Sequence, residues 1–271
     1  MEAASPADPS QRRKRRSLLV AGGVIGVALG GFFDGILLHQ ILQWHHLLSL
    51  VPGEALRDVR NQVLADGAFH VLMYLMAGLG LWLLWRARDG LVDAGAGRRL
   101  AGSVLVGFGL WQLIDVVIFH WIAGIHRIRV DVENPLAWDI GWLVALGVPP
   151  TIAGFWLARQ AGRHGPPAGG SSASAVATGA AALTILAAAA AALPPAGTTT
   201  TLVLFRQGVG SAAAFEAVAA VEGRIVWADP SGAMLAVEPG RTTDLRRLYA
   251  YGALLVSSSP LVAGCVAWMR T

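Results

Sequence analysis

Apolar residues dominate five stretches of the chain, roughly Leu18 to Leu42, Val63 to Trp85, Leu100 to Ile122, Ala137 to Ala158 and Ala173 to Leu193, with few charges inside them. At about 1.5 Å of rise per residue each can cross a hydrocarbon core of about 30 Å. The pattern predicts five transmembrane helices. The first follows Arg12, Arg13, Lys14, Arg15 and Arg16, an arrangement that resembles the start of a signal peptide. Its apolar run is too long, and no small-residue cleavage site precedes a polar mature start, so it is read as a retained first span.

Beyond Pro194 and Pro195 the pattern changes. Thr200 to Arg206 alternates as a strand, and Ala212 to Val221 fits a helix. Arg224 to Trp227 and Ala233 to Val237 flank the turn residues Asp229, Pro230, Ser231 and Gly232. A second helix over Asp244 to Tyr251 and an apolar strand from Ala253 complete a βαββαβ order, which predicts a small ferredoxin-like module. A sixth span from Ala253 to Met269 is the alternative, opposed by Ser257, Ser258, Ser259 and Pro260 at its centre. The expected fold class is an α-helical integral membrane protein. It would comprise a basic cytoplasmic tail (1–17), a four-span membrane domain (18–159), a Gly-, Pro- and Ala-rich cytoplasmic linker (160–172), a fifth helix (173–194) and an extracytoplasmic α+β module (198–271).

Composition agrees: 55% of residues are hydrophobic, 14% are charged, and the mean hydropathy is +0.55, which excludes a soluble globular domain. The net charge of +4 is too small and scattered for a nucleic-acid surface. The single cysteine, Cys265, excludes an internal disulfide and any Cys-rich metal site, and its own role is open. The Arg and Lys residues set the orientation. The N-terminal five, Arg86, Arg88, Arg98, Arg99, Arg159 and Arg163 fall on one side, whereas the opposite loops hold only Arg57, Arg60, Arg127 and Arg129. The positive-inside tendency places the N-terminus in the cytoplasm and the C-terminal module outside.

An internal repeat carries the candidate chemistry. Asp34, His39 and His45 recur as Asp115, His120 and His126, all at an offset of 81. Asp58, Val59, Asn61 and Asp66 recur as Asp131, Val132, Asn134 and Asp139, all at an offset of 73. Spans one and two therefore read as a hairpin duplicated in spans three and four. Counting from the Arg residues at the foot of each helix puts Asp34, His70 and Asp115 roughly 24 to 27 Å up, and His39, Asp66, His120 and Asp139 roughly 30 to 35 Å up. His45, His46 and His126 stand where the helices leave the membrane.

Ionisable groups at such depth require partners, and imidazole with carboxylate suits a transition metal. The expected ligands are His39, His70, His120, Asp66 and Asp139. Asp34, Asp115, Asn61 and Asn134 would support them, and His45, His46 and His126 would admit the ion. Met73 and Met76 below His70 would favour copper(I), or simply pack. The alternatives are a membrane-embedded zinc hydrolase, haem b held between two His such as His39 and His120, a structural hydrogen-bond network, and proton or substrate transport. His164 lies in the linker and reads as solvated.

Gly31 to His46 (GFFDGILLHQILQWHH), residues 65–70 (ADGAFH) and residues 126–142 (HRIRVDVENPLAWDIGW) resemble a bacterial membrane-protein family, the domain of unknown function 2243. The resemblance covers roughly Gly22 to Leu157. It implies a polytopic inner-membrane protein with no established activity. The family's likeness to neighbours of cytochrome oxidase assembly factors implies copper handling, with the lipid bilayer and a respiratory oxidase or its assembly factors as partners.

Overall fold

The computed structural model describes residues 9–42, 44–53, 56, 59–161, 169–192, 200–240 and 244–258. Asp58, His164 and Cys265, much of the expected linker, and the far half of the conceivable sixth span lie outside the described residues.

Among the described residues, five helices are long and apolar enough to cross a membrane: α1 Pro9–Ile41, α2 Val59–Arg86, α3 Ala96–Ile122, α4 Pro135–Gln160 and α5 Gly169–Ala192. α1 begins at Pro9, so Arg12 to Arg16 form its first turns. Pro is tolerated at a helix start because its missing N–H has no partner there, and Arg, Lys and Gln are good helix formers. Three helices widen into π turns, at Gly35–Ile41 in α1, Asp115–Ile122 in α3 and Leu143–Gly147 in α4. Val144, Ile152, Trp156, Ile185 and Leu186 on α4 and α5 are all more than half exposed. A surface of that kind suits lipid.

The chain forms two compact units, one of residues up to Asp34 with Ala68–Ala189, the other of Gly35–Gly67 with the residues from Ala190. In the first unit, small residues let helices approach closely. A Cβ on Gly26 of α1 would run into the backbone of Val104, Gly107 and Phe108 of α3, and Gly102 of α3 meets the backbone of Gly154 and Ala158 of α4. Membrane helices associate through such contacts because lipid supplies no hydrophobic drive between them. Leu18, Ala21, Ile25, Leu84, Leu100 and Ala173 form a core toward the Arg-bearing helix ends.

In the second unit, β1 (Thr201–Phe205), α6 (Ser211–Ala220), β2 (Arg224–Ala228), β3 (Met234–Glu238), a 3₁₀ helix (Leu245–Tyr251) and β4 (Ala253–Ser257) follow the order read from the sequence. The strands pair antiparallel as β2-β3-β1-β4. The second helix of the module is 3₁₀, not the expected α-helix. Seven residues closed by Gly252 at φ 90° leave little room for α-helical turns. One sheet face carries Val203, Phe205, Leu235 and Val237 against Ala214, Ala217 and Val218 of α6 and Leu248 of the 3₁₀ helix. The other carries Leu202, Leu204, Met234 and Ala236 against Val63, near the start of α2. Both faces are thus covered, which is why β1 is buried along nearly its whole length.

Candidate functional site

Two of the three π turns coincide with a repeated spacing of Asp and His. On a regular α-helix residues five apart are rotated by about 140° and cannot share a face. The wider turn starting at Asp115 brings it and His120 together, with a π-type i→i+5 pitch of the kind often found at functional sites. Asp34 stands at the same offset before His39, just ahead of the π turn Gly35–Ile41, and is buried. A single repeated spacing thus underlies two local distortions.

In the first unit, Asp115, His120 and His126 are all buried and each offers a ligand atom within 4.8 Å of the others. Asp115 receives both imidazoles, His120 Nε2 at 3.0 Å from Oδ2 and His126 Nε2 at 3.1 Å from Oδ1. The two rings stand edge to face, with centroids 4.6 Å apart. His120 turns its other nitrogen, Nδ1, to Asp139 Oδ1 at 2.9 Å. Asp139 also accepts from Trp121 Nε1 at 3.0 Å, Arg127 at 2.7 Å and the Ile128 backbone N–H at 3.1 Å. The last two bonds fold the loop back over the helix end and bury His126.

In the second unit the same pattern recurs. His39 Nε2 lies 3.0 Å from His45 Nε2, with ring centroids 4.6 Å apart in an edge-to-face arrangement. His39 Nδ1 lies 3.2 Å from Asp66 Oδ1. Asp66 also receives His46 Nδ1 at 2.7 Å and the Leu47 backbone N–H at 2.8 Å. Gln62 reinforces the loop through the carbonyls of Leu48 and Leu56 and the N–H of Leu48.

The residues expected at one level therefore fall into two constellations. His39 groups with His45, His46 and Asp66, and His120 with Asp115, His126 and Asp139. Depth counting alone carries no information about which helices face each other. His70, also expected among the ligands, is buried one turn further along α2 and meets Phe69 edge to face at 5.5 Å; among the described residues it is in neither tight group of ligand atoms. Asn134 caps α4, accepting from the Ala137 N–H at 3.1 Å. Asn61 lies in the first turn of α2. Met73 packs into the space that a side chain on Gly31 would occupy.

Outside the spans, Arg129 forms a bidentate pair with exposed Asp131, and that hydrogen bonding holds the Asp131 carboxyl below its ordinary range. His126 takes no part in it. Trp121, Leu47 and Ile128 were absent from the residues singled out by sequence, and Arg127 entered only as a charge on an outer loop, not as a site residue. Extending the offset of 81 by two positions, from His45/His126 to His46/Arg127 and Leu47/Ile128, would have found three of these four.

Each imidazole pair is thus arranged with Nε2 atoms converging and one Nδ1 fixed on a carboxylate. A metal-ligating histidine is oriented in this way by an outer carboxylate that accepts its second N–H. A carboxylate with two imidazoles also matches the three-ligand sets that first-row metals occupy with open positions.

A family model described as "Predicted membrane protein (DUF2243)" matches residues 21–161. The match contains both constellations and ends before the C-terminal sheet. No curated protein and no solved structure matches the chain.

Proposed function

The chain belongs to the DUF2243 family of predicted membrane proteins, and from that premise we propose that it binds transition-metal ions, copper foremost, at two His–Asp sites near the outer face of a bacterial inner membrane. The role would be metal handling for a respiratory enzyme or its assembly factors. The observation that carries the reading is the convergence of Asp115, His120 and His126 within 4.8 Å, all three buried in an apolar bundle. His120 and His126 are the ligands with Asp115, and Asp139 is the outer carboxylate. By the repeat, His39 and His45 are the ligands of the first site and Asp66 is the outer carboxylate.

The donors are nitrogen and oxygen, so copper is taken as Cu(II), which heads the affinity order of divalent ions at such sites. The matching offsets and distances support a duplicated helical hairpin. The Arg distribution supports a cytoplasmic N-terminus, with the π turns at the opposite, outer ends of α1 and α3. The C-terminal sheet, read as ferredoxin-like, then lies outside, where it can serve as a partner-binding module.

A second reading has one observation behind it. Three protein ligands leave a fourth position open, as at catalytic zinc, so the alternative is a zinc hydrolase. Haem between His39 and His120 draws no support, because both ring nitrogens of His120 lie within 3.0 Å of carboxylate oxygens.

The test is elemental analysis with an optical spectrum of the detergent-purified protein beside a His39→Ala, His120→Ala double variant. Stoichiometric copper lost in the variant supports handling, and zinc promotes the hydrolase. A Soret band would mean haem. Equal metal content in the two proteins sinks the assignment.

A further inference from the structure

At the Arg-rich ends of the spans, a cavity of about 460 Å³ lies between the first turns of α1 and the end of α2 with its following 3₁₀ turn (Arg88–Gly90). Arg13, Lys14, Arg16 and Arg86 line it, with Asp89 as the one carboxylate, and Val20 and Leu83 supply its apolar wall. Gly90 closes one side against Lys14, where a Cβ would stand 3.5 Å from the Lys14 Cβ. The four cations are exposed, and among the described residues none forms an ion pair. Arg86 instead stacks over Trp82 at 5.0 Å, and Arg88 over Trp85 at 4.7 Å. Both Trp are strongly exposed, which marks this level as the membrane–water boundary.

We propose that this cavity binds the headgroup of an anionic phospholipid. The phosphate would lie among Arg13, Lys14, Arg16 and Arg86, with the Ser17 hydroxyl as a further donor. An acyl chain would descend along Val20 and Leu83. A soluble phosphate needs the cations but not that apolar wall, which continues into the lipid-facing surface of α1, where Val20 is 47% exposed. Four cations against one carboxylate leave a surplus that a zwitterionic headgroup does not neutralise. Basic pockets between membrane helices recognise anionic headgroups in this way. Within its unit the cavity lies at the Arg-bearing helix ends, away from Asp115, His120 and His126 at the far end of α3, and the proposal does not depend on the metal reading.

The experiment is native mass spectrometry of the full-length protein in neutral detergent, titrated with phosphatidylglycerol, with phosphatidylcholine of the same chains, and with inorganic phosphate. Wild type should bind one phosphatidylglycerol per chain in preference to phosphatidylcholine. A Lys14→Gln, Arg86→Gln variant keeps four of the five N-terminal cations that set topology, and should bind phosphatidylglycerol about 30-fold more weakly. Leu83→Trp fills the cavity without changing charge and should also lose the lipid, while running as a monodisperse species in gel filtration. Equal binding of the two lipids, or equal phosphatidylglycerol binding by wild type and both variants, overturns the proposal. So does displacement of the lipid by inorganic phosphate at equal concentration, which would make the site one for soluble phosphate.

Discussion

Arg127 donates to Asp139 Oδ2 at 2.7 Å, and at the corresponding position of the other constellation His46 meets Asp66 Oδ2, also at 2.7 Å. The backbone donor that follows is matched too, Ile128 N–H on Asp139 and Leu47 N–H on Asp66. The two carboxylates are held alike, but one beside a fixed guanidinium and the other beside an imidazole.

That difference predicts unequal metal sites. A permanent cation next to Asp139 opposes a divalent ion on His120 and His126, whereas the first site has no guanidinium at the matching position. Arg127→Gln keeps a donor for Asp139 and removes the charge. Isothermal titration with Cu(II) should show the second site tightened by about 10-fold and the first unchanged. A second site that is unchanged or weakened would contradict the unequal-charge account.

Asp139 and Asp131 should behave oppositely on removal. Asp139 is fully buried and takes four donors, so Asp139→Ala should strand His120 and Arg127 and cost about 3 kcal/mol in thermal unfolding. Asp131→Ala breaks only an exposed pair with Arg129 and should change stability by less than about 0.5 kcal/mol. Asp139→Asn should retain the fold but weaken metal binding by about 10- to 100-fold.

The close approach of α1 and α3 at Gly26 leaves no room for a side chain. Gly26→Leu should therefore separate the helices and destabilise the bundle by about 2 to 4 kcal/mol. Gly23→Leu is its control, because nothing lies within 4 Å of a Cβ there. Thermal unfolding of the two variants in the same detergent checks the contrast.

Val63 is buried against Leu202, Leu204, Met234 and Ala236. Val63→Arg should detach that sheet face, and limited proteolysis should then release the C-terminal module faster than from wild type. Unchanged cleavage would mean that the packing on Val63 contributes little.

Much of this was legible in sequence. Five apolar runs gave the five long helices to within about four residues except at the start of α1, which begins at Pro9 and takes in the basic residues read as a tail, because a charge-poor stretch of sufficient length has few alternatives. The alternation in Thr201–Phe205 and the Asp229 to Gly232 turn gave the strand order. The offset of 81 marked both constellations. The grouping was not legible. A rise per residue gives depth along a helix, but not its neighbour. Asp115 and His120 read as two layers from the rise per residue, and the π turn unites them. His126 could equally have joined Asp131 and Glu133 in an exposed loop. The Ile128 N–H and Arg127, both bonded to Asp139, pull it inward instead.

The most direct test of the metal reading is copper X-ray absorption on Cu(II)-loaded protein in neutral detergent. The account predicts nitrogen and oxygen neighbours at about 2.0 Å with imidazole outer-shell scattering, no sulfur near about 2.3 Å, and a reduced imidazole contribution in His126→Ala. A sulfur shell, an absence of imidazole scattering, or a spectrum unchanged in His126→Ala would contradict it.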